Sequence, residues 1–386
     1  MKLHHFFVLY VFFLLFANTI AFGETVIPIP GPPSVSAKSY VLEDFKTGQI
    51  IAESKADQKV APASITKLMT AYIVFSELKR GNLHLEDQVL ISEHAWKTGG
   101  SRTFIEVNTR IPVEILIKGM VIQSGNDASV ALAEHIAGTE EVFAAIMNQQ
   151  AQKLGMTGSH FMNSTGLPSD NHYVTARDIS TLTRAIIQDF PEYYGWFSQE
   201  SFTYNNITQY NRDTLLKRDP SVDGLKTGYT KAAGYCLVSS AKREDMRLIS
   251  VVMGSKSPQS RANEALALLN YGFRFYETNN IYSALEPITN ALVRRGAEKE
   301  IPLGVAHDLA VVLPRGQWKK LSSAIQVTSP IIAPIKKGEE LGAITVKFKS
   351  DLILERPLIA LTTIPEGSRW QKMSDWVSSF FSKETP

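Results

Sequence analysis

Three short patterns in this chain have residue types and spacings suited to nucleophilic chemistry. They are a serine three residues before a lysine, a serine two residues before an asparagine, and a Lys-Thr-Gly triplet. Each recurs. The first is found at Ser64/Lys67, Ser76/Lys79 and Ser239/Lys242, the second at Ser124/Asn126 and Ser169/Asn171, and the third at Lys46, Lys97 and Lys226. Position has to choose among them. Ser64 and Lys67 follow Pro62 at the start of an expected helix, where a spacing of three puts both on one face. A serine hydroxyl is a poor nucleophile until a neighbour takes its proton. A lysine can do so only where burial or nearby cations lower its pKa. A helix N-terminus disfavours the ammonium and favours a developing anion. Taken alone, Ser64 also reads as a helix N-cap.

The other copies read as structural. Ser76/Lys79 falls in the last turn of the same helix, where a lysine complements the dipole. Ser239 and Lys242 end a strand, where positions three apart point to opposite faces. Ser169-Asp170-Asn171 has turn composition, and Lys46-Thr47-Gly48 separates two strand-like runs. Lys97-Thr98-Gly99 lies in a loop before Ser124. Ser124-Gly125-Asn126 interrupts two apolar helical stretches, so a hydroxyl and an amide can project into a cleft, although capping explains them too. Lys226-Thr227-Gly228 precedes an apolar β run. Its lysine offers a point charge for a carboxylate, its threonine a donor and its glycine close approach.

The elements that must position these residues follow from periodicity. Residues 39–44 and 49–53 read as strands. A helix from Ser64 presents Leu68, Ala71, Tyr72, Phe75 and Leu78 on one face and stops at Gly81. Further helices are expected from Pro112 to about Ile122, from Asp127 to Ile136, over 141–154, over 175–188 and over 261–276. Gly234–Ala241 and Leu248–Met253 are apolar strands. Strands early, helices in the middle and strands late predict an α+β domain whose first and last strands share one sheet. After about Glu277, short β runs broken by Pro and Gly predict a small all-β domain. His160 and His172 read as loop histidines, and Cys236 as a buried small hydrophobe.

In the order Ser64, Ser124, Lys226, the motifs resemble those of the serine β-lactamase and penicillin-binding-protein superfamily. Their flanks narrow the resemblance. Ala61-Pro62-Ala63-Ser64-Ile65-Thr66-Lys67-Leu68-Met69-Thr70, Ser124-Gly125-Asn126-Asp127-Ala128, Asp223-Gly224-Leu225-Lys226-Thr227-Gly228 and Ala233-Gly234-Tyr235 look like low-molecular-mass penicillin-binding proteins that are D-alanyl-D-alanine carboxypeptidases. The resemblance implies an antiparallel sheet flanked by helices over residues 24–277, an all-β domain over 278–366 and an amphipathic helix over 367–386. It implies that Ser64 attacks the carbonyl between the last two D-alanines of a peptidoglycan stem peptide, with no metal or cofactor. Lys67 is then the general base, Ser124 the proton relay and Asn126 a contact to the substrate amide. Lys226, Thr227 and Arg261 take the terminal carboxylate, with Gly228 beside the substrate and Arg212 near the site. Backbone N–H groups of Ser64 and Tyr229 form the oxyanion hole. Tyr229 stands where the family often has histidine. β-Lactams would acylate the same serine. Two other readings stand beside this one, a β-lactamase and a non-catalytic wall-binding scaffold. Residues 163–178 hold Asp170 and Asp178 but no Glu, which weighs against a class A β-lactamase.

The ends of the chain carry targeting signals. Lys2, the apolar run Phe6–Phe16 and small residues at Ala21 and Gly23 read as a secretory signal peptide over 1–23. From Ser368 to Lys383, Trp370, Met373, Trp376, Val377, Phe380 and Phe381 fall within about 140° of a helical wheel, the pattern of a helix lying in a bilayer interface. The resemblance likewise implies attachment to the outer face of the inner membrane, in the periplasm. The 386 residues are 44% hydrophobic and 20% charged with a net charge of +2, which excludes a disordered chain and disfavours nucleic acid as a partner. One cysteine excludes an intrachain disulfide.

Overall fold

A computed structural model describes residues 29–368. The expected signal peptide and all but the first residues of the expected C-terminal helix lie outside the described residues. The central sheet has five antiparallel strands: β1 (Ser39–Asp44), β2 (Ile50–Ser54), β3 (Val222–Thr230), β4 (Gly234–Arg243) and β5 (Met246–Ser255). Their order is β2-β1-β5-β4-β3, so the first strand lies beside the last. Tyr40 pairs with Val252 and Leu42 with Ser250, as the early-and-late strand pattern predicts.

Alternation sends the two faces of this sheet into different cores. Leu42, Leu237, Leu248 and Val252 pack on one side with Leu268 and Leu269. These last two come from α6 (Pro258–Phe275). Val41, Val238, Ile249 and Val251 face the other way, into a core shared with the helical layer. That layer holds α1 (Lys67–Arg80), α2 (Val113–Val121), α3 (Asn126–Ala137), α4 (Glu140–Lys153) and α5 (Ala176–Asp189). Each fully buried Val or Leu contributes about 1.5–3 kcal/mol. Helix α1 is buried nearly all round from Lys67 to Phe75, so it is fixed between the sheet and its neighbouring helices. The structure differs from the sequence reading at its start. Ala63–Thr66 is a short 3-10 turn without side-chain capping, and the α-helix begins at Lys67. Ser64 is therefore not serving as an N-cap.

Lys226 lies inside a nine-residue strand, not ahead of one. Asp223, Gly224 and the triplet itself break the apolar alternation, which hides that strand in the sequence.

The C-terminal part is all β. It comprises β6 (Tyr276–Tyr282), β7 (Thr289–Arg294), β8 (Glu300–Gly304), β9 (Leu309–Pro314), β10 (Leu321–Val327), β11 (Ile331–Ile332), β12 (Glu340–Phe348) and β13 (Asp351–Ala360). Six form one sheet, in the order β10-β12-β13-β8-β7-β11, while β6 pairs with β9. Its core is its own: Ile301, Leu303, Ile344, Val346 and Leu358. The junction is held by Thr278 Oγ1 donating to Asp44 Oδ2 at 2.6 Å, and by Val312 joining the core beneath α6.

Candidate active site

The turn at Pro62–Thr66 places Ser64 at the edge of the sheet. Ala63 is held in the left-handed region, φ 49°, and so is Ser124, φ 69°. Both conformations are costly for residues with a Cβ and persist only where surroundings fix them. Around Ala63 the fixing group is Gly166, itself at φ 85°, whose missing Cβ would fall 1.7 Å from the Ala63 carbonyl oxygen. Only glycine lets that loop close onto the serine turn. On the other side, a Cβ on Gly228 would stand 3.2 Å from the Ser64 nitrogen, so β3 runs directly beside the serine backbone.

Lys67 sits behind Ser64 and is 1% exposed. Its Nζ lies 3.1 Å from Ser64 Oγ, 2.6 Å from Asn126 Oδ1 and 2.7 Å from the Thr165 carbonyl oxygen. Burial pulls its pKa down to about 7, and Arg212 pushes the same way against the opposing charges of Asp127 and Glu140. The loop that supplies the Thr165 carbonyl is pinned at several points. Ser164 is bonded through its N–H and hydroxyl to Glu140 and through its carbonyl to Thr70. Asn163 Oδ1 accepts from the N–H groups of Thr165 and Gly166.

Asn126 is held by its Nδ2 donating to the Gly99 carbonyl at 2.6 Å. Asp127, the next residue, is fully buried and accepts from the backbone N–H groups of Thr103, Phe104 and Ala128. It fastens the preceding loop to the start of α3. Ser124 Oγ is buried and bonded to no protein group.

The cleft in front of these groups has a volume of about 520 Å³. Ser64, Ser124, Asn126, Arg212, Thr227, Gly228, Tyr229 and Arg261 all line it, with Thr165 and Gly166. Lys67 and Lys226 are buried in its wall. All ten sequence-predicted site residues thus converge. The copies at Ser76/Lys79 and Lys46 lie elsewhere, whereas the Lys97-Thr98-Gly99 loop reaches the site through the Gly99 carbonyl that holds Asn126. Ser76 donates to the Tyr72 carbonyl, Lys79 donates to the Asp189 carbonyl, Thr47 donates to Asp44 Oδ1 within its turn, and Lys97 pairs with Glu93.

Four cations bias the site. Lys226 is 2% exposed, and burial together with Lys67, Arg212 and Arg261 lowers its pKa well below the ordinary lysine value. Arg261 is a built part of the cleft, not a surface ion pair: its Nη1 donates to the carbonyls of Gly228 and Cys236 at 3.3 and 3.4 Å. With the Gln123 amide turned so that both its ends are satisfied, its oxygen accepts from Arg212 Nη2 at 3.2 Å. Tyr229 is half exposed and stacks on Tyr235, with ring centroids 4.3 Å apart.

Two residues were missed or misread from sequence. His172 lies in a loop, as expected, but its burial and its partner were not foreseen. It is buried, with Nε2 3.1 Å from Thr66 Oγ1, between Ser64 and Lys67 in the chain. Thr165 contributes through its backbone, and the only sequence signal was the following Gly166.

Residues 28–257 match the family model described as D-alanyl-D-alanine carboxypeptidase. The chain belongs to the D-alanyl-D-alanine carboxypeptidase family. Residues 276–366 match a second model, the C-terminal domain of penicillin-binding protein 5. Among curated members of this family, D-alanyl-D-alanine carboxypeptidase DacC of Escherichia coli is 40% identical over 381 residues, covering 96% of this chain and 94% of that protein. DacA of Escherichia coli is 39% identical over 361 residues, or 92% of this chain and 90% of that one. Among solved structures, penicillin-binding protein 5 from Haemophilus influenzae has a TM-score of 0.83 at 37% identity, covering 87% of this chain and all of that one. Penicillin-binding protein D2 from Listeria monocytogenes, in an ampicillin-bound form, has a TM-score of 0.59 at 28% identity over 63% of this chain and all of that one.

Proposed function

We propose that the cleft carries out serine-type D-Ala-D-Ala carboxypeptidase chemistry, with Ser64 as the nucleophile. The protein is a serine-type carboxypeptidase by family. The arrangement around Lys67 Nζ is the observation that supports the catalytic assignment. A neutral amine has two N–H bonds and one lone pair. Asn126 Oδ1 and the Thr165 carbonyl can only accept, so they take the two N–H bonds. The lone pair is then left for Ser64 Oγ, whose proton it can receive. Burial makes the neutral form accessible near neutral pH.

In this reading Ser64 Oγ attacks the carbonyl carbon of the penultimate D-alanine. The oxyanion forms between the backbone N–H groups of Ser64 and Tyr229. Ser124, buried beside the cleft with no protein partner, passes the proton to the leaving nitrogen as the C–N bond breaks. The terminal D-alanine departs as a free amino acid. Lys67 then assists a water that hydrolyses the ester and restores Ser64. Asn126 contacts the substrate amide, and Lys226, Thr227 and Arg261, with Arg212 nearby, receive the terminal carboxylate. β-Lactams acylate Ser64 by the same route, since a strained amide stands where the peptide bond would.

The setting follows from the chain's ends. Residues 1–23 direct export to the periplasm, and the amphipathic sequence at 367–386 holds the enzyme on the outer face of the inner membrane. The β domain at 278–366 raises the peptidase domain at 24–277 toward the wall. Among the described residues, no helix is long and apolar enough to cross a membrane.

The test is D-alanine release from a synthetic pentapeptide ending in D-Ala-D-Ala. Ser64→Ala is expected to abolish release while leaving the circular dichroism spectrum and Tm unchanged. Release undiminished in that variant overturns the assignment.

A further inference from the structure

Next to Arg212, which lines the corner of the cleft assigned to the substrate carboxylate, the chain carries one buried acid whose charge opposes Lys226 and Arg261. Asp213 follows Arg212 in the loop before the short helix Leu215–Arg218 and is 3% exposed. Its Oδ1 accepts the Leu215 N–H at 2.9 Å, and its own N–H donates to Asn211 Oδ1 at 2.9 Å. Oδ2 is buried and has no hydrogen-bond partner. Leaving a carboxylate oxygen bare in a buried site is costly unless a charge compensates it. The compensating charges are Arg261 from α6 and Lys226 from β3.

The need runs both ways. Lys226 faces Lys67, Arg212 and Arg261, and Asp213 is the acid acting on it. Its ammonium donates to the Thr227 carbonyl at 3.1 Å. We propose that Asp213 is a positioning residue whose free oxygen balances Lys226 and Arg261, keeping the corner charged and set for a substrate that ends in a free carboxylate. This rests on the carboxypeptidase reading of the cleft. Asp213 does not itself touch substrate. It acts through Lys226 and Arg261.

Burial raises the Asp213 carboxyl to about 6, while Arg261 and Lys226 oppose the rise. Below that pH its carboxyl is neutral and the counter-charge is absent. Above it the carboxylate sustains the Lys226 ammonium against burial, against Arg212 and Arg261, and against Lys67 while that amine is still protonated.

The experiment compares wild type with Asp213→Asn on a pentapeptide ending in D-Ala-D-Ala, from about pH 5 to about pH 9. Asparagine keeps an oxygen for the Leu215 N–H and removes the charge, with an NH2 in place of the free oxygen. KM of D213N is expected to match wild type below about pH 6 and to exceed it about 10-fold at alkaline pH, with kcat little changed. The same peptide ending in D-alaninamide should show no such split. If D213N does not fold, Asp213→Ser, which also keeps an acceptor, gives the same comparison. A KM offset independent of pH assigns Asp213 a structural role and overturns the proposal. So does a lower KM in D213N, which would make the carboxylate repulsive to substrate. Wild type that releases no D-alanine overturns the carboxypeptidase reading and this proposal together. Active wild type with an indistinguishable D213N overturns this proposal alone.

Discussion

Lys67 has the same side chain as the exposed lysines of this protein, and in the proposed mechanism its environment alone makes it the base. Sealed behind Ser64 with two acceptors on its amine, it titrates near 7. Below that value the ammonium has no lone pair, and above it the amine is free. The second-order rate of acylation by a fluorescent penicillin is therefore expected to rise with pH through about 7 and then level. Lys67→Arg keeps a cation that does not deprotonate, so acylation should fall by about 10²–10⁴-fold with no recovery at alkaline pH. Recovery in that variant would assign the proton transfer elsewhere. At this scale the sequence was informative, because side-chain identity and spacing selected Ser64, Ser124 and Lys226 from among their copies. It was silent on the Thr165 carbonyl, since a backbone oxygen leaves no mark beyond the glycine that lets its loop close. It was also silent on Asp213, whose polar loop neighbours conceal complete burial.

Elements hold these side chains by loop-to-helix fastenings. The segment around Ser164–Gly166 is locked by Glu140 and Thr70, and His172, further along the chain, bonds Thr66. Burial lowers the His172 pKa to about 4, so the folded state resists the proton that the unfolded chain accepts near 6.5. The sign follows directly. His172 costs no stability above about pH 6.5, destabilises progressively as pH falls, and reaches its full effect, up to about 3 kcal/mol, below about pH 4. In thermal melts from neutral pH to pH 4, His172→Gln is expected to lose less Tm than wild type over this window. Parallel melting curves would show that the ring does not resist protonation. The helices and the early-and-late sheet were legible because their periodicity is strong. Less so were β6 and β13. Tyr276–Tyr282 is polar and rich in Asn, and Asp351–Ala360 carries Glu355, Arg356 and Pro357 on largely exposed positions, so neither shows a clean alternation.

At the scale of the whole molecule, the active site and the β domain are joined through β6, a few contacts near Asp44 and Val312 beneath α6, while their cores are otherwise separate. Chemistry and anchoring should then be separable. Removal of residues 369–386 is expected to abolish co-flotation with anionic lipid vesicles and to leave the penicillin acylation rate within about two-fold of the full chain. Unchanged flotation would place the membrane contact elsewhere. The account itself depends on one claim, that Ser64 is acylated. The most direct measurement is intact-protein mass over time after mixing with benzylpenicillin, for wild type and Ser64→Ala. The account predicts a lasting adduct of one penicillin on wild type and none on the variant. An adduct on folded Ser64→Ala, none on folded wild type, or a fleeting one with rapid penicillin loss would contradict it, the last outcome favouring a β-lactamase.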